Sequence, residues 1–201
     1  MKGDIFHILN RGVEKRKIFL DNKDYYRFLH NLEDFNNKDL TILSYNMRRS
    51  AMRKPKVNQE KLVDILCWCL MPNHYHILVQ EIIDGGSSIF SKKLTSGYTQ
   101  YFNLKNERSG VLFQGRSKII LLKKDEHFIH IPYYIFSNPI KLIEPHWKEK
   151  GLKNHKHTVE FIDNYQWLGI INRNLFYEIF DITEKEFKKN FNEYLQGLAM
   201  R

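Results

Sequence analysis

Four segments of the chain are rich in β-branched and aromatic residues in short apolar runs, which is typical of strands. They cover residues 5–9, 62–70, 75–80 and 117–122. Only a few residues, including the turn-forming pair Pro72-Asn73, separate the second segment from the third. This spacing predicts a hairpin between those two strands.

Three segments between and after the strands show helical spacing instead. The first runs to about Asn36 behind a cap at Asp21 or Asn22, the second follows a cap at Ser87 or Ser88, and the third begins at Glu126 behind Asp125. The order strand, helix, two strands, helix, strand predicts an α+β fold. We expect a ferredoxin-like antiparallel sheet with helices on one face.

The segment 149–201 differs from the preceding residues in its sequence pattern, which predicts a C-terminal helical extension to a domain over residues 1–148. Residues 150–157 are basic and turn-like, and residues 161–171 predict a short helix. Thr183 and Glu186 form the pattern of a capping box before a last helix. His155 and His157 lie in a polar stretch and are interpreted as solvated or close to DNA.

The net charge of the chain indicates a class of binding partner. The 201 residues carry a formal net charge of +9, and the sequence pI is about 9.4. Such a balance favours a polyanionic partner, nucleic acid before membrane. Arg11, Lys15 and Arg16 form a basic loop after the first strand and can reach phosphate, although a solvated turn has the same composition.

The expected compartment is a reducing cytoplasm, with association to the nucleoid. The sequence starts without a signal peptide and contains no apolar run long enough to span a membrane. Cys67 and Cys69 share one face of a predicted strand and cannot comfortably bridge each other. A zinc site combining them with His74 and His76 is disfavoured, because the cysteine spacing is wrong for the usual zinc knuckle.

Two histidines provide the first candidate chemistry. His74 and His76 are two residues apart on a predicted strand, so their side chains project from the same face. Neutral imidazoles at that spacing can share one metal ion. They can equally line a polar sheet face.

Tyr134 and Asn138 provide the second half of a site. They lie four residues apart and therefore on one face of the third predicted helix. A tyrosine hydroxyl is a nucleophile once a base or metal assists it, and an asparagine carbonyl can complete a metal site. Pro132 should kink this helix or mark its start, and a distorted helix would make Tyr133 the alternative nucleophile.

Four motifs occur in an order that resembles the single-tyrosine HUH transposases, in particular the REP-associated tyrosine transposase branch, over about residues 3–145. They are Asn10-Arg11-Gly12-Val13, Met71-Pro72-Asn73-His74-Tyr75-His76, Phe113-Gln114-Gly115-Arg116 and Tyr134-Ile135-Phe136-Ser137-Asn138-Pro139. The resemblance implies an HUH endonuclease-type catalytic domain. Such a domain cleaves and rejoins single-stranded DNA through a 5′-phosphotyrosine and leaves a free 3′-hydroxyl.

The resemblance also implies the role of each matching residue. Tyr134 would be the nucleophile, and His74, His76 and Asn138 would hold Mg²⁺ or Mn²⁺. Arg11 and Arg116 would contact DNA, which in this family is a hairpin with single-stranded flanks. The protein would act as a monomer or a homodimer.

Two other functions remain open. A protein on the same fold that has lost cleavage would be a hairpin DNA- or RNA-binding module. A metal-dependent hydrolase unrelated to transposition would use His74 and His76 but would leave Tyr134 idle.

Overall fold

The four predicted strands form one antiparallel sheet, which confirms the α+β class. The structure is a computed structural model that describes residues 1–38, 60–123, 126–144, 146 and 170–199. Strand order across the sheet is β2-β3-β1-β4, and every neighbouring pair is antiparallel. The strands are β1 Ile5–Arg11, β2 Val63–Met71, β3 His74–Glu81 and β4 Lys118–Leu121.

The predicted hairpin joins β2 to β3 through the two-residue turn Pro72-Asn73, with Met71 paired to His74. The backbone N–H groups of Ile18 and Phe19 donate to the Pro72 carbonyl at 2.8 and 3.2 Å. The N–H of Gly12 donates to the Asn73 carbonyl at 2.8 Å. The basic loop after β1 therefore holds this turn, and with it the position at which His74 enters the sheet.

Helices α1 (Asn22–Asp34) and α2 (Gly86–Lys105) cover one face of the sheet. Tyr75, Ile77 and Val79 point into the core that they form. The predicted cap of α1 is confirmed, because the Asp21 side chain accepts a hydrogen bond from the Asp24 N–H at 3.1 Å.

The predicted serine cap of α2 is wrong. The N-cap is Gly85, which makes no side-chain cap bond, and the helix begins at Gly86. The buried Glu81 carboxylate accepts instead from the Ser87 N–H at 3.0 Å and from the Ser87 hydroxyl at 2.5 Å. A carboxylate from the end of β3 thus satisfies the helix N-terminus, and its charge suits the positive end of the helix dipole.

The opposite face is covered as well, so the expected placement of helices on one face is correct for α1 and α2 and wrong for the third predicted helix. The helices on this side are α3 Glu126–Ser137, α4 Ile140–Ile143, α5 Arg173–Phe180 and α6 Glu184–Ala199. Leu66, Cys67 and Leu78 of the sheet share a second core with Phe136, Phe176 and other apolar residues of these helices. Both sheet faces are apolar along β2 and β3, so each needs a covering layer.

Within the C-terminal extension, the capping box is confirmed. Glu186 accepts from the Thr183 N–H at 2.9 Å, and the Glu186 N–H donates back to the Thr183 hydroxyl at 3.2 Å. The predicted domain boundary after residue 148 lies outside the described residues and stays a prediction, as do the cap Asp125 and the placement of His155 and His157. The predicted helix over 161–171 also lies outside them, except for residues 170 and 171, which form a bend. No helix in the described part of the chain is long and apolar enough to cross a bilayer.

Gly86 and Gly197 provide a matched pair for testing the junction between β2 and α2. A methyl group at Gly86 would overlap the Leu62 carbonyl oxygen, whereas one at Gly197 in α6 would meet no other atom. We expect Gly86→Ala to lower the free energy of unfolding by about 1–3 kcal/mol, because a backbone carbonyl cannot rotate away. Gly197→Ala should raise it by up to about 1 kcal/mol, because alanine is the better helix former.

Urea denaturation of both variants provides the measurement. Equal stability of Gly86→Ala and the wild type would show that the helix does not start against β2.

Candidate functional site

The pairing of β3 with its neighbours places His74 and His76 on the sheet face that carries α3. Their neighbours Tyr75 and Ile77 point to the face of α1 and α2. In β1, Arg11 pairs with His74 and Leu9 pairs with His76. Directly paired residues share a face, so the exposed Arg11 side chain belongs to the histidine face. The two imidazole rings lie 5.1 Å apart between centroids and nearly perpendicular.

Helix α3 brings Tyr134 to these histidines. The Tyr134 and His76 rings meet edge to face with centroids 5.4 Å apart and planes at 89°. The Tyr134 side chain remains 43% exposed, whereas His76 is only 3% exposed. A phenol that solvent can reach thus stands beside a buried imidazole, although 58 residues separate the two in the sequence.

Tyr133 faces the other way. It is 6% exposed and stacks on Phe187 of α6 with ring centroids 5.1 Å apart. Burial raises the pKa of its phenol, which disfavours the phenolate. Pro132 lies inside α3, which begins six residues earlier at Glu126, so it does not mark the start of the helix. The geometry therefore presents Tyr134, and not Tyr133, to the histidines.

Asn138 lies immediately after the end of α3 and is buried. Its side-chain amide nitrogen donates to the Tyr134 carbonyl at 2.8 Å. That bond fixes Asn138 to the helical turn that carries Tyr134 and leaves the amide oxygen as the atom able to bind a cation. Its role as third metal ligand stays a prediction.

Both candidate metal-binding histidines are held neutral. Burial, followed by the nearby charges of Arg11 and Lys141, lowers the pKa of His74 to about 4. Burial, followed by His7, His74 and the same two cations, lowers the pKa of His76 to about 3. At neutral pH each ring therefore keeps a free lone pair, which is the form that binds a metal.

Each ring makes a second contact through Nδ1, and for His74 this contact decides which nitrogen carries the lone pair. His74 Nδ1 lies 2.6 Å from the Asn73 side-chain oxygen, so Nδ1 carries the proton and Nε2 the lone pair. His76 Nδ1 lies 2.9 Å from His7 Nε2, in a pair of stacked and buried rings. His76 Nε2 is itself buried and has no hydrogen-bond partner among the described residues.

An orphaned imidazole nitrogen is a costly arrangement unless something binds it. A metal ion would satisfy it, and a hydrogen bond from the other ring nitrogen is the usual support of a metal-binding histidine. No group of three His, Cys, Asp or Glu residues in the described chain is placed to hold a metal. A cation here would need oxygen ligands besides the two imidazoles, such as the Asn138 amide, water or phosphate.

Cys69 pairs with His76 across the sheet, but among the described residues the two cysteines form no metal-binding group with the histidines. Cys67 and Cys69 are buried free thiols of the second core. Burial is the main cause that raises the pKa of both thiols, so neither is a ready thiolate ligand.

The structure places the predicted DNA-contacting residues around one end of the sheet. Arg11 is paired with His74. Lys15 is exposed in a short 3₁₀ turn, and its backbone carbonyl accepts a hydrogen bond from the Asn73 side chain at 3.2 Å. Arg16 follows that turn and is partly buried. Arg116 is exposed in the loop before β4. That loop is tied to β1, because the Gln114 N–H donates to the Arg11 carbonyl at 2.9 Å.

Sequence reasoning missed three residues of this site. His7 contacts Nδ1 of His76, and the Asn73 side chain contacts Nδ1 of His74. Lys141 of α4 adds positive charge near both rings. A histidine inside the apolar first strand was the available signal for His7. Lys141 follows Asn138 by three residues, which is one helical turn, but the helix break at Pro139 hides that relation in the sequence.

The comparisons with known proteins give a distant likeness to solved structures. No protein-family model and no curated protein matches the chain. A solved structure described as "Structure of the REP associates tyrosine transposase bound to a REP hairpin" is similar, with a TM-score of 0.47 and 20% sequence identity. The match covers 71% of this chain and 70% of that one. A likeness this distant leaves the functional conclusion to the residues of the chain itself.

The contact between His7 and His76 can be tested through metal affinity. We expect His7→Phe to weaken Mn²⁺ binding by about 10- to 100-fold, since it keeps an aromatic ring but removes the nitrogen that faces His76. His7→Gln is the matched control, because its side-chain amide can bond His76 Nδ1 as an acceptor or as a donor and should keep most of the affinity. Electron paramagnetic resonance of free Mn²⁺ measures both.

Equal Mn²⁺ affinity of the wild type and folded His7→Phe would show that this pair does not support a metal site.

Proposed function

We propose that this protein cleaves and rejoins single-stranded DNA through a 5′-phosphotyrosine formed at Tyr134. The observation that carries the proposal is the edge-to-face contact of the exposed Tyr134 phenol with the buried His76 ring. The four sequence motifs support it, because the contact joins two of them in space. The sheet order and the placement of α1 and α2 on one face also fit the proposed ferredoxin-like, HUH endonuclease-type fold.

The reaction would be a transesterification that conserves one phosphodiester bond. The Tyr134 hydroxyl attacks the scissile phosphorus, a phosphorus–oxygen bond to tyrosine forms, and the bond to the 3′ oxygen breaks. The phenol loses its proton, and the departing 3′ oxygen gains one. Attack by that 3′-hydroxyl on the phosphotyrosine reverses the step and rejoins the strand, so no external energy source is needed.

His74, His76 and Asn138 are the residues that would hold Mg²⁺ or Mn²⁺. The buried and unpartnered His76 Nε2 fits such an ion, and the mixed nitrogen and oxygen donors suit Mn²⁺ in particular. A bound divalent cation supplies Lewis-acid polarisation of the scissile phosphate. Arg11 and Lys141 add fixed positive charge at the same place, where charge on the phosphate oxygens must be stabilised.

Protein contacts hold the helical segment that carries the proposed nucleophile. Tyr133 is stacked against α6, and the Asn138 amide bonds the Tyr134 carbonyl, so the helical turn on each side of Tyr134 is fixed. Holding a nucleophile in place in this way lowers the entropic cost of bringing it to a bound phosphate at the moment of reaction. A hydrolase that activates water would have no need for this arrangement of the phenol.

Adduct formation tests the nucleophile. The protein is incubated with Mn²⁺ and labelled single-stranded hairpin oligonucleotides taken from the DNA that flanks its coding sequence, and the products are resolved on a denaturing gel. We expect a covalent protein–DNA band that Tyr134→Phe abolishes, because it removes the attacking oxygen. Tyr133→Phe is the matched control and should keep the band, since that hydroxyl faces α6.

A band that survives Tyr134→Phe would contradict the assignment. Cleavage without an adduct would favour the hydrolase, and binding without cleavage would favour the hairpin-binding module. His74→Ala separates chemistry from binding, because it should remove the adduct while leaving most of the DNA affinity, which comes from Lys and Arg.

A further inference from the structure

A groove of about 880 Å³ opens between α2 and the segment that leads into β4, away from the histidine face. One wall is a stripe of hydroxyl side chains at helical spacing on α2, formed by Ser88, Thr95, Ser96 and Thr99. The opposite wall contains the apolar side chains of Val111 and Ile119. A groove of this size is comparable to the sites that hold small organic ligands, at about 300–1,000 Å³.

The charged residues of the groove are both cations. Lys92 and Arg116 line it and are exposed, and none of the described lining residues is acidic. Arginine, lysine and hydroxyl groups are the side chains that bind phosphate oxygens in nucleic-acid complexes. The aliphatic side chains of Val111 and Ile119 can make van der Waals contact with the faces of unpaired bases.

Gln100 adds an unpaired acceptor. It lines the groove, and its side-chain oxygen is buried without a hydrogen-bond partner in the described chain. A glutamine amide matches the donor and acceptor atoms on the edge of a base. Paired bases inside a duplex cannot turn toward such a groove, so the lining favours a single strand over a double helix.

The groove ends beside the candidate active site. Its Gly115 carbonyl accepts from the Asn10 side chain at 3.0 Å, and Gln114 is bonded to the Arg11 backbone. Arg11 is paired with His74, and both side chains lie on the sheet face opposite the groove. A strand that leaves the groove past Arg116 therefore meets the end of β1, where Arg11 is paired with His74.

We propose that this groove binds a single-stranded segment of the DNA substrate and feeds it around the end of β1 to Tyr134. The inference rests on the proposed function for the nature of the nucleic acid. It adds a binding site with its own residues, which are Lys92, Thr99, Gln100 and Arg116.

The test measures affinity for a fluorescent oligothymidylate of about 16 nucleotides, a length near the upper range of a single-strand site. The double variant Lys92→Gln/Arg116→Gln should lose roughly tenfold in affinity at moderate salt, because it removes two phosphate contacts. The slope of log affinity against log salt should fall by about 1.4, since each contact to a single strand contributes about 0.7.

Two further variants sharpen the result. Lys23→Gln/Lys61→Gln removes the same charge from exposed positions outside the groove and should change affinity by less than about twofold. Thr99→Trp fills the groove without a change of charge and should weaken oligothymidylate binding while leaving affinity for a blunt-ended hairpin near the wild-type value. Circular dichroism and urea denaturation check that each variant is folded.

Wild-type affinity of the folded Lys92→Gln/Arg116→Gln variant, or an equal loss in the control pair, would overturn the proposal. These binding measurements need neither metal nor cleavage. Failure of adduct formation at Tyr134 would therefore leave them standing, and a groove without effect would leave the role of Tyr134 untouched.

Discussion

Strand β3 carries two different surfaces at alternate positions, and the rest of the structure depends on that constraint. Tyr75, Ile77 and Val79 are buried against α1 and α2, while His74, His76 and Leu78 face α3. A shift of pairing by one residue would exchange the two sets and bury both histidines among the aromatic residues of the first core. The large apolar residues between the histidines therefore fix the direction in which the imidazoles point.

Packing in the second core brings Tyr134 next to these imidazoles. Tyr133 fills the space between α3 and α6, and the adjacent Tyr134 is consequently rotated toward His76. Burial and the positive charges of Arg11 and Lys141 keep both rings neutral. The same positive charges would attract a negatively charged DNA phosphate. The C-terminal helices thus serve the candidate chemistry, although none of their residues contributes to the candidate metal site.

Much of this arrangement could be predicted from local pattern. The alternation around His74 and His76, the hairpin turn at Pro72-Asn73 and the capping box at Thr183 each depend on residues close together in sequence, where period and turn chemistry are informative. The choice of Tyr134 over Tyr133 was also available from its spacing to Asn138. The structure adds the physical reason, which is the aromatic packing of Tyr133 against α6.

What could not be predicted depends on contacts between distant segments. The Glu81 carboxylate displaced the expected serine cap of α2, and the second helical layer followed from apolar residues on both faces of β2. His7 meets His76 only because β1 and β3 are neighbours in the sheet, although 69 residues separate the two in the sequence. The groove between α2 and the loop before β4 likewise appears only when the strand order is known.

Whether His74 and His76 hold a metal ion beside Tyr134 can be seen in a crystal structure determined after soaking with Mn²⁺, with data collected at an energy that gives anomalous scattering from manganese. We expect one anomalous peak on the Tyr134 side of β3, within about 2–2.5 Å of Nε2 of both His74 and His76. A fully occupied manganese site elsewhere, with those two nitrogens bound to protein groups or left apart, would contradict that expectation.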